Sequence, residues 1–379
     1  MTKQTGLLAG IAEKNPTLFR RVGVALGDPS AWVGDEENSV AIVRDLEMDR
    51  VRQFTSASKV HCPADFAPES GLDADRETAT AQAVAEYCVQ NSIQSLRVDR
   101  TLPYIYAWHL LEQGIQLTYD ASFGVLDRRQ KTEQEIERLT EAQAVTETVM
   151  RIMCERISAC SVNDEGQLID DGEVLTSERA QAIAANEFLS RDYSMAHGCI
   201  VATAPEVADC HHRGTGPLRS CVPIIVDLFP MNQKTRYWGD CTRTVVHDKP
   251  SSKVQAMHQA VVNAKQASES MLRPGNTAES VHIAGEIVLK EAGFPISRGK
   301  LTDEPSIQHG TGHGIGLDVH EPILLDHGGG EMLDREVFTV EPGLYGRLDG
   351  GVRVEDMLVV REEGPQNLNR LHSGLDWRA

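Results

Sequence analysis

The stretch "HGTGHGIGLDVHEP", which runs from His309 to Pro322, carries three histidines and four glycines. The spacing of the histidines at 309, 313 and 320 would place them on one face of a helix, but four glycines disfavour a stable helix. Ordered glycine is typical of places where the backbone comes close to another group. We therefore predict an irregular or extended segment that lines a site. The alternative is a glycine-rich loop whose histidines are merely hydrogen-bonded, and partners elsewhere in the chain decide between the two.

Four acidic residues in apolar, strand-like surroundings are the first such partners. They are Asp227 in "PIIVDLF", Asp240 in "WGDCTRTVV", Glu341 in "VFTVEPGLYG" and Glu355 in "GGVRVEDMLVV". An acid in an apolar strand is costly unless it is paired or binds a metal. Asp227 and Asp240 would lie side by side on two strands of a hairpin. Each acid could individually be a salt-bridged strand residue, but that explanation does not account for all four together with the histidine-rich segment.

Two Asp, two Glu and one His would form a shell for two divalent cations about 3.5–4 Å apart. Hard oxygen ligands with a single imidazole favour Mn²⁺, Co²⁺ or Zn²⁺ over a thiolate-type zinc site. Cys241, beside Asp240, is therefore interpreted as a packing residue. The "CHH" at 210–212 lacks a second cluster with ligand spacing, so another role is expected for its histidines.

Length and composition limit the classes of protein. A chain of 379 residues is long enough for two domains. The net charge of -19 argues against nucleic acid or an anionic membrane surface as the main partner. No segment approaches the roughly 18 apolar residues of a membrane span, and the N-terminal stretch does not look like a signal peptide. Eight cysteines without a C-x-x-C pair predict reduced thiols and a cytoplasmic location.

The first part of the chain alternates strand-like runs with helical patterns, which predicts a compact α/β domain over residues 1–128. The strand-like runs are 21–26, 39–45, 95–99 and 115–120, and the helical patterns are 77–93 and 103–114. The second helical pattern has Pro at its start and Gly at its end, as helices prefer.

A second domain is predicted over residues 129–379. It opens with a long helix, because Thr132 and Glu135 form a capping-box signal. The order helix, helix, strands then occurs twice, which is a weak internal repeat. The further helical patterns are 177–189, 252–272 and one from Thr277 to Gly293, and the strand-like runs are 199–204, 222–229, 242–248, 336–341 and 352–361. The fold class expected for the chain is α+β.

Four segments, taken in order, resemble a known family of metallopeptidases. "GDCTRT", "HGTGHGIGLDVHEP", "FTVEPG" and "GVRVED" look like the motifs of the "pita-bread" enzymes, which include methionine aminopeptidase, aminopeptidase P and prolidase. The resemblance covers residues 130–361, and more faintly the N-terminal domain. It implies a C-terminal pita-bread domain preceded by a smaller α/β domain like that of creatinase and prolidase.

The resemblance also implies a role for each site residue. Carried over from the family, the metal ligands are Asp227, Asp240, His313, Glu341 and Glu355. His211 and His320 resemble the two histidines that flank the substrate amide. His309 and Arg353 match positions that help to hold the P1′ side in the proline-specific branch.

Arg353 has a second possible role, which is to orient a neighbouring acid or a metal-ligand carboxylate. The glycines around His313 are expected to leave room for the substrate backbone. The chain departs from the family pattern in two places. Thirteen positions instead of eleven separate the two aspartates, and "ADCHHRG" lacks the usual Pro before the first histidine. Either His211 or His212 could therefore face the substrate, and alignment favours His211.

The function that the resemblance implies is hydrolysis of the N-terminal Xaa-Pro bond of peptides. Two divalent cations, Mn²⁺ first and Co²⁺ or Zn²⁺ next, would activate water, and Glu341 would shuttle its proton. Homodimerisation is expected from the family alone. The alternatives are a broader or methionine aminopeptidase-like specificity, and a non-catalytic peptide-binding relative. The sequence does not separate a dipeptidase from an aminopeptidase on longer peptides, and it names neither the native metal nor the physiological substrate.

Overall fold

The chain folds into two compact units, Met1–Arg128 and Arg129–Ala379. The computed structural model describes residues 5–35 and 37–378, so the outermost residues of both predicted domains lie outside the described parts. None of the helices in the described parts is both long enough and apolar enough to cross a membrane.

The first unit is a mixed six-stranded sheet with helices on both faces. The strand order is β4-β3-β2-β1-β5-β6, in which the β1–β2 and β2–β3 pairs are antiparallel and the remaining pairs are parallel. The elements are β1 (Gly6–Ile11), α1 (Pro16–Val22), β2 (Pro29–Gly34), β3 (Ser39–Ile42), α2 (Met48–Phe54), β4 (Lys59–His61), α3 (Arg76–Gln90), β5 (Ser95–Val98), α4 (Tyr104–Glu112), β6 (Gln116–Tyr119) and α5 (Val125–Arg129).

Alternation along β1 sends Leu7 into the core under α3 and α4, and Leu8 into the core under α1 and α2. Both cores are fully buried, so this unit has the three layers of an α/β domain.

Most of the predicted elements of the first unit are confirmed, but the strand predicted over residues 21–26 is wrong. Residues Pro16–Val22 form a helix, because the Asn15 side chain accepts a hydrogen bond from the amide of Leu18 and Pro occupies the first turn. Gly23, with φ of 78°, ends the helix in the left-handed conformation. The sequence reading also missed strands β1, β2 and β4. Of these, β1 lies inside the sheet, is covered on both faces and lacks an alternating pattern.

The second unit contains two helix pairs and several small sheets. Its elements are α6 (Glu133–Ala159), β7 (Ser161–Val162), β8 (Leu168–Asp170), β9 (Glu173–Val174), α7 (Ser177–Leu189), β10 (Tyr193–Ser194), β11 (Ile200–Ala202), β12 (Pro223–Leu228), β13 (Met231–Asn232), β14 (Cys241–Val246), α8 (Ser252–Ser270), α9 (Ala278–Glu291), β15 (Gly312–Gly314), β16 (Glu321–Leu325), β17 (Val337–Val340), β18 (Gly343–Gly346), β19 (Gly350–Arg353), β20 (Asp356–Val359) and β21 (Gln366–Asn367). The capping box predicted at Thr132 and Glu135 is confirmed at the start of α6.

The predicted order of helix, helix and strands is present in both halves of this unit. Helices α6 and α7 pack against the antiparallel sheet β11-β12-β14, and α8 and α9 pack against the strands that follow them. The run predicted as one strand over 352–361 is broken at Val354–Glu355 into β19 and β20. The break occurs where the halves meet, since the amide of Glu355 donates to the carbonyl of Thr242 on β14 (3.1 Å).

Candidate metal centre

A cavity of about 600 Å³ lies in the second unit, and all nine site residues predicted from the sequence line it. Four are acids, four are histidines and one is an arginine: Asp227, Asp240, Glu341, Glu355, His211, His309, His313, His320 and Arg353. The described residues therefore bring together positions that are spread over more than a third of the sequence.

The β12–β14 hairpin positions the two aspartates. Asp227 faces Thr242 across the antiparallel pair, and Asp240 directly precedes β14. Gln143 of α6 fixes the backbone of Asp240 from behind: its side-chain oxygen accepts from the Asp240 amide (2.9 Å), and its Nε2 donates to the Asp240 carbonyl (2.6 Å). Gly239 allows the helix to come this close, because a Cβ there would lie 2.2 Å from Oγ1 of Thr146.

The connection between β12 and β14, which is two residues longer than in the family pattern, has a structural role. It contains β13, which pairs with β10, so that Asn232 lies opposite Tyr193. The two additional residues are accommodated in this second ribbon and do not disturb the register between β12 and β14.

His313 lies on β15 with its Nε2 directed at two acids. That nitrogen is 3.7 Å from Oδ2 of Asp240 and 3.5 Å from Oε1 of Glu341. The Nδ1 atom is 3.1 Å from the carbonyl of Gly314, to which it donates in the neutral tautomer. Burial, followed by the neighbouring His320, lowers the pKa of His313 to about 3. The ring is therefore neutral, with a lone pair that faces the carboxylates, which is the state of a metal-binding imidazole.

The glycines around His313 have a different purpose from the one predicted. A Cβ at Gly312 would lie 2.0 Å from the carbonyl oxygen of Thr339 on β17, and a Cβ at Gly314 would lie 2.8 Å from the carbonyl of Glu321 on β16. A Cβ at Gly316 would meet the Glu321 carboxylate at 2.8 Å. The protein's own neighbouring strands, and not a substrate, take up the space that these glycines leave.

The carboxylates of the four site acids lie close together and are largely buried. Burial first, and then the neighbouring Glu355, Asp227 and Glu341, raise the pKa of Asp240 well above its ordinary value. Burial and the charges of Glu341 and Asp227 likewise raise the pKa of Glu355, although Thr242 donates a 2.8 Å hydrogen bond to it. Burial raises the pKa of Glu341 to about 7, against the opposing charge of Arg353. Like charges held this close need a cation or protons to be stable.

Arg353 lies behind the acids, and its contacts are with the protein. Its Nη2 donates to Oδ2 of Asp227 (2.6 Å), its Nη1 to the hydroxyl of Tyr345 (2.9 Å) and to the carbonyl of Cys210 (3.3 Å), and its Nε to Oγ1 of Thr242 (3.2 Å). The residue is only 3% exposed. Of the two roles considered for Arg353, these contacts favour the orientation of a site carboxylate.

His309 belongs to the same hydrogen-bonded chain. Its Nε2 is 2.6 Å from the hydroxyl of Tyr345, and its Nδ1 is 2.7 Å from the carbonyl of Gly310. Burial, followed by the charge of Arg353, lowers the pKa of His309 to about 3. The tyrosine hydroxyl therefore connects the neutral His309 to Arg353, and through Arg353 to Asp227.

His320 and His211 also line the cavity, and both are exposed. The His320 ring is perpendicular to that of His313, with centroids 4.3 Å apart, and burial next to His211 and His197 lowers the pKa of His320. His211 lines the cavity, whereas Nδ1 of His212 accepts a hydrogen bond from the amide of Gly214 (3.0 Å) within its own loop. The geometry favours His211 as the histidine that faces a substrate.

The residues present fit a pair of divalent cations. Asp240, His313 and Glu355 place one ligand atom each within 4.8 Å of one another. Oδ1 of Asp227 is buried and has no hydrogen-bond partner among the described residues, while the other oxygen is held by Arg353. A buried carboxylate oxygen without a donor, beside three further acids and one neutral imidazole, matches the hard-ligand set that Mn²⁺, Co²⁺ and Zn²⁺ accept.

Several supporting residues were not identified from the sequence. Tyr345, Thr242 and Gln143 hold His309, Glu355 and Asp240 respectively. Thr242 lies inside the motif "GDCTRT", and Tyr345 follows the motif "FTVEPG" by two residues, so both had a signal nearby. Gln143, in the middle of a long helix, carries no such signal.

Another supporting pair lies at the end of the histidine-rich stretch. The ammonium of Lys131 is 2.8 Å from Oε2 of Glu321, and both side chains are almost fully buried. Glu321 also accepts from the amide of Leu317 (3.1 Å), so its carboxylate fixes the backbone between His313 and His320.

The sequence profile of metallopeptidase family M24 matches residues 137–362, the part of the chain that contains the cavity. The chain belongs to metallopeptidase family M24. It is 32% identical over 196 residues to the probable dipeptidase PepE of Mycobacterium tuberculosis, which corresponds to 51% of this chain and 50% of that protein. The chain therefore spans about half the length of the mycobacterial relative that it matches. It is also 25% identical over 297 residues to the Xaa-Pro dipeptidase of Pyrococcus horikoshii, 75% of each chain.

The solved structures of this family confirm the predicted fold class. The Xaa-Pro dipeptidase from Bacillus anthracis superposes with a TM-score of 0.80 at 20% identity, over 98% of this chain and 94% of that chain. The M24 chain thus has the α+β architecture expected for it, with a pita-bread domain that follows a smaller α/β domain.

Proposed function

We propose that this family M24 chain is a dinuclear-metal peptidase that hydrolyses the N-terminal Xaa-Pro bond of peptides. The observation that carries the proposal is the convergence of Asp227, Asp240, Glu341 and Glu355 with the neutral His313 in one cavity. Relatives that are named dipeptidases and Xaa-Pro dipeptidases support it.

The proposed ligands are these five residues, and the proposed cofactor is a pair of divalent cations, with Mn²⁺ preferred and Co²⁺ or Zn²⁺ as alternatives. One imidazole among four carboxylates supports a hard or borderline metal. Sγ of Cys241 points instead at the carbonyl of Glu355 (3.9 Å), and its thiol is fully buried, which supports a packing role. When bound, the cations supply Lewis-acid chemistry that lowers the pKa of a nucleophilic water toward neutrality.

Glu341 is the proposed proton carrier. Its side chain is 17% exposed, more than that of any other of the four acids, so it is the carboxylate best placed to carry a proton from water to the leaving amine. Its backbone amide donates to the carbonyl of Thr311 (2.7 Å), so the side chain starts from a fixed point at the end of β17.

The proposed role of His320 is to donate to the oxygen that becomes negative as the scissile carbonyl is attacked, and that of His211 is to contact the scissile amide. Both histidines line the cavity and are exposed. The lowered pKa of His320 keeps its ring neutral, so it acts as a hydrogen-bond donor without adding charge beside the cations.

Selectivity for proline is assigned to His309 and the chain of contacts behind it. An Xaa-Pro bond lacks an N–H. A selective site must therefore not require a hydrogen bond from that nitrogen, and it must fit the proline ring. His309 lines the cavity and is held by Tyr345, which Arg353 also holds. We propose that His309 contacts the P1′ side directly and that Arg353 acts from behind, by orienting Asp227.

Two other functions are weighed against this one. A broader or methionine aminopeptidase-like specificity would use the same acids but would not need His309 and its support. A non-catalytic peptide-binding relative would not need a complete ligand set, and the five ligand positions of this chain all carry metal-binding side chains.

Partners and location follow the same proposal. The expected partners are peptides with proline at P1′ and a second copy of the chain, and neither nucleic acid nor a membrane is expected. A cytoplasmic location is supported by the eight cysteines, all of which have free thiols in the described residues.

The deciding experiment compares Xaa-Pro dipeptides, longer Xaa-Pro peptides and matched Xaa-Ala peptides, with Mn²⁺, Co²⁺ and Zn²⁺ added in turn to chelator-treated protein. Metal-dependent cleavage of Xaa-Pro bonds in preference to Xaa-Ala bonds is expected. Cleavage of Xaa-Ala at an equal rate would favour the broader specificity, and metal binding without cleavage of any peptide would favour the non-catalytic relative.

A further inference from the structure

A second cluster of metal-binding side chains lies outside the ligand set described above. His282 and Glu286 are one turn apart on α9, and His327 follows the end of β16 by two residues. These three residues place one ligand atom each within 4.8 Å of one another. The proposed function uses none of them.

The three ligand atoms already face a common point. Nε2 of His282 is 3.4 Å from Oε2 of Glu286, and Nε2 of His327 is 3.3 Å from the same oxygen. Nδ1 of His282 is 2.9 Å from Oγ1 of Thr311, which fixes the ring with Nε2 on the side of Glu286. The two imidazole rings are perpendicular, with centroids 4.7 Å apart, as two ligands of one ion can be.

The surroundings favour a cation. Oε1 of Glu279 is 3.7 Å from Nδ1 of His327, and Oδ1 of Asp326 is 3.6 Å from Nε2 of His282. The first of these carboxylates supports the outer nitrogen of a liganding imidazole, and the second is near enough to serve as a fourth ligand. Burial lowers the pKa of His282, so that its ring is neutral and able to bind a metal at physiological pH.

The guanidinium of Arg298 occupies part of the space between these ligand atoms. Nη2 of Arg298 lies 3.1 Å from Nε2 of His282 and 2.5 Å from Oδ1 of Asp326. The Arg298 side chain is 35% exposed, so it can turn outward into solvent without opening the core. Lys290 neutralises the other oxygen of Glu286 at 3.3 Å and leaves Oε2 facing the histidines.

We propose that His282, Glu286 and His327 form a binding site for a single borderline divalent cation of the Zn²⁺ type, in competition with Arg298. Two imidazoles and one carboxylate, with an open fourth position, are a ligand set that zinc accepts in proteins. The acid-rich cavity offers one imidazole and four carboxylates and so takes harder ions. The two sites differ in the metal they prefer, and zinc binding here does not depend on the proposed peptidase activity.

The test is a zinc titration of the 379-residue chain with Mn²⁺ in excess, followed by equilibrium dialysis and metal analysis. The wild type is expected to retain one zinc equivalent that His327→Ala binds at least about 10-fold more weakly. His327 is half exposed, so this variant should fold normally. His109→Ala, which removes a histidine remote from both clusters in the sequence, is the matched control and should behave as the wild type does.

A second variant makes the result specific to this geometry. Arg298→Ala removes the competing cation and is expected to bind the same zinc equivalent more tightly than the wild type. X-ray absorption at the zinc edge should show two imidazoles on this ion. Equal zinc retention by the wild type and His327→Ala would mean binding elsewhere on the surface and would overturn the proposal, as would weaker binding by Arg298→Ala.

Discussion

Nη2 of Arg353 lies 2.6 Å from Oδ2 of Asp227, and this contact holds one oxygen of a proposed metal ligand while the other oxygen faces the cavity. Removal of the guanidinium would leave Asp227 buried without its partner. We expect Arg353→Ala to reduce metal content and to lower kcat/KM by about 10- to 100-fold on both Xaa-Pro and Xaa-Ala peptides. Metal analysis and steady-state kinetics measure the two effects.

The lysine variant separates the orienting role from general damage. Arg353→Lys keeps a positive charge near Asp227 but cannot also reach Tyr345 and the carbonyl of Cys210. It should recover part of the metal content and part of the rate. A loss confined to Xaa-Pro peptides, with both metals retained in the alanine variant, would instead show that Arg353 contacts the substrate.

Asp240→Asn tests the ligand set without a change of shape. The amide removes one of the crowded negative charges, so the metal-free protein should be at least as stable as the metal-free wild type. Metal affinity and activity should fall by at least about 100-fold. Removal of a metal ligand should reduce both at least as much as removal of a residue that only supports a ligand. Thermal unfolding by circular dichroism, together with metal-replete activity assays, checks both parts. Full activity of the metal-replete variant would exclude Asp240 as a ligand.

The stability of the metal-free protein should fall as the pH rises from about 6.5 to about 8, through the pKa of Glu341. Burial raises the pKa of Glu341 to about 7 and those of Asp240 and Glu355 well above their ordinary values, so the folded state binds more protons than the unfolded state in this range. Stability then decreases with pH. The lowered pKa values of His309 and His313 act below pH 6.5 and do not offset this trend.

Chelated and metal-loaded samples make the comparison. The unfolding temperature of the chelated wild type should decline between about pH 6.5 and about pH 8, and saturating Mn²⁺ should remove most of the decline, because bound cations replace the protons. Glu341→Gln should have a shallower decline without metal. A flat profile for the chelated wild type would contradict the assignment of raised pKa values to these acids.

Gly312→Ala should destabilise the second unit by about 1–3 kcal/mol, or prevent β15 from pairing with β17. A Cβ at this position would lie 2.0 Å from the carbonyl oxygen of Thr339, and backbone cannot move aside cheaply. Gly330→Ala is the control, since no atom lies within 4 Å of a Cβ added there. Chemical unfolding of both variants gives the difference, and equal stabilities would disprove the close approach.

Homodimerisation is predicted from the family resemblance. Light scattering of the purified protein at micromolar concentration should give about twice the chain mass of 41.6 kDa. A stable species at the mass of one chain would refute this prediction.

The sequence predicted most elements of the second unit because its signals were local and strong. Thr132 and Glu135 marked the start of α6, and apolar runs that contained single acids marked β12 and β17. In the first unit, the run at 21–26 has a strand-like pattern, but Asn15 and Pro16 start a helix that extends into it. Asn15 and Pro16 are a signal for a helix start, and this signal outweighs the alternating pattern of residues 21–26.

The proposed metal-ligand positions were accessible to sequence reading because a costly residue in an apolar strand stands out. The side chains that hold them were less accessible, since Gln143 and Tyr345 act through contacts with residues far away in the chain. The position of a backbone carbonyl, such as that of Thr339 against Gly312, depends on strand pairing, which no local pattern specifies. For this reason the glycines were predicted to leave room for a substrate, although they allow neighbouring strands to approach closely.

The proposed ligands come from both halves of the second unit, with Asp227 and Asp240 on the first helix-and-strand half and His313, Glu341 and Glu355 on the second. A chain emerging from the ribosome presents its aspartates long before Glu355 is synthesised. Neither half alone can therefore assemble the complete shell, and full metal loading has to wait until the second half has been translated and has docked. Partly made chains are thus expected to be inactive without a separate inhibitor, because the last ligand to be translated also completes the proposed metal centre.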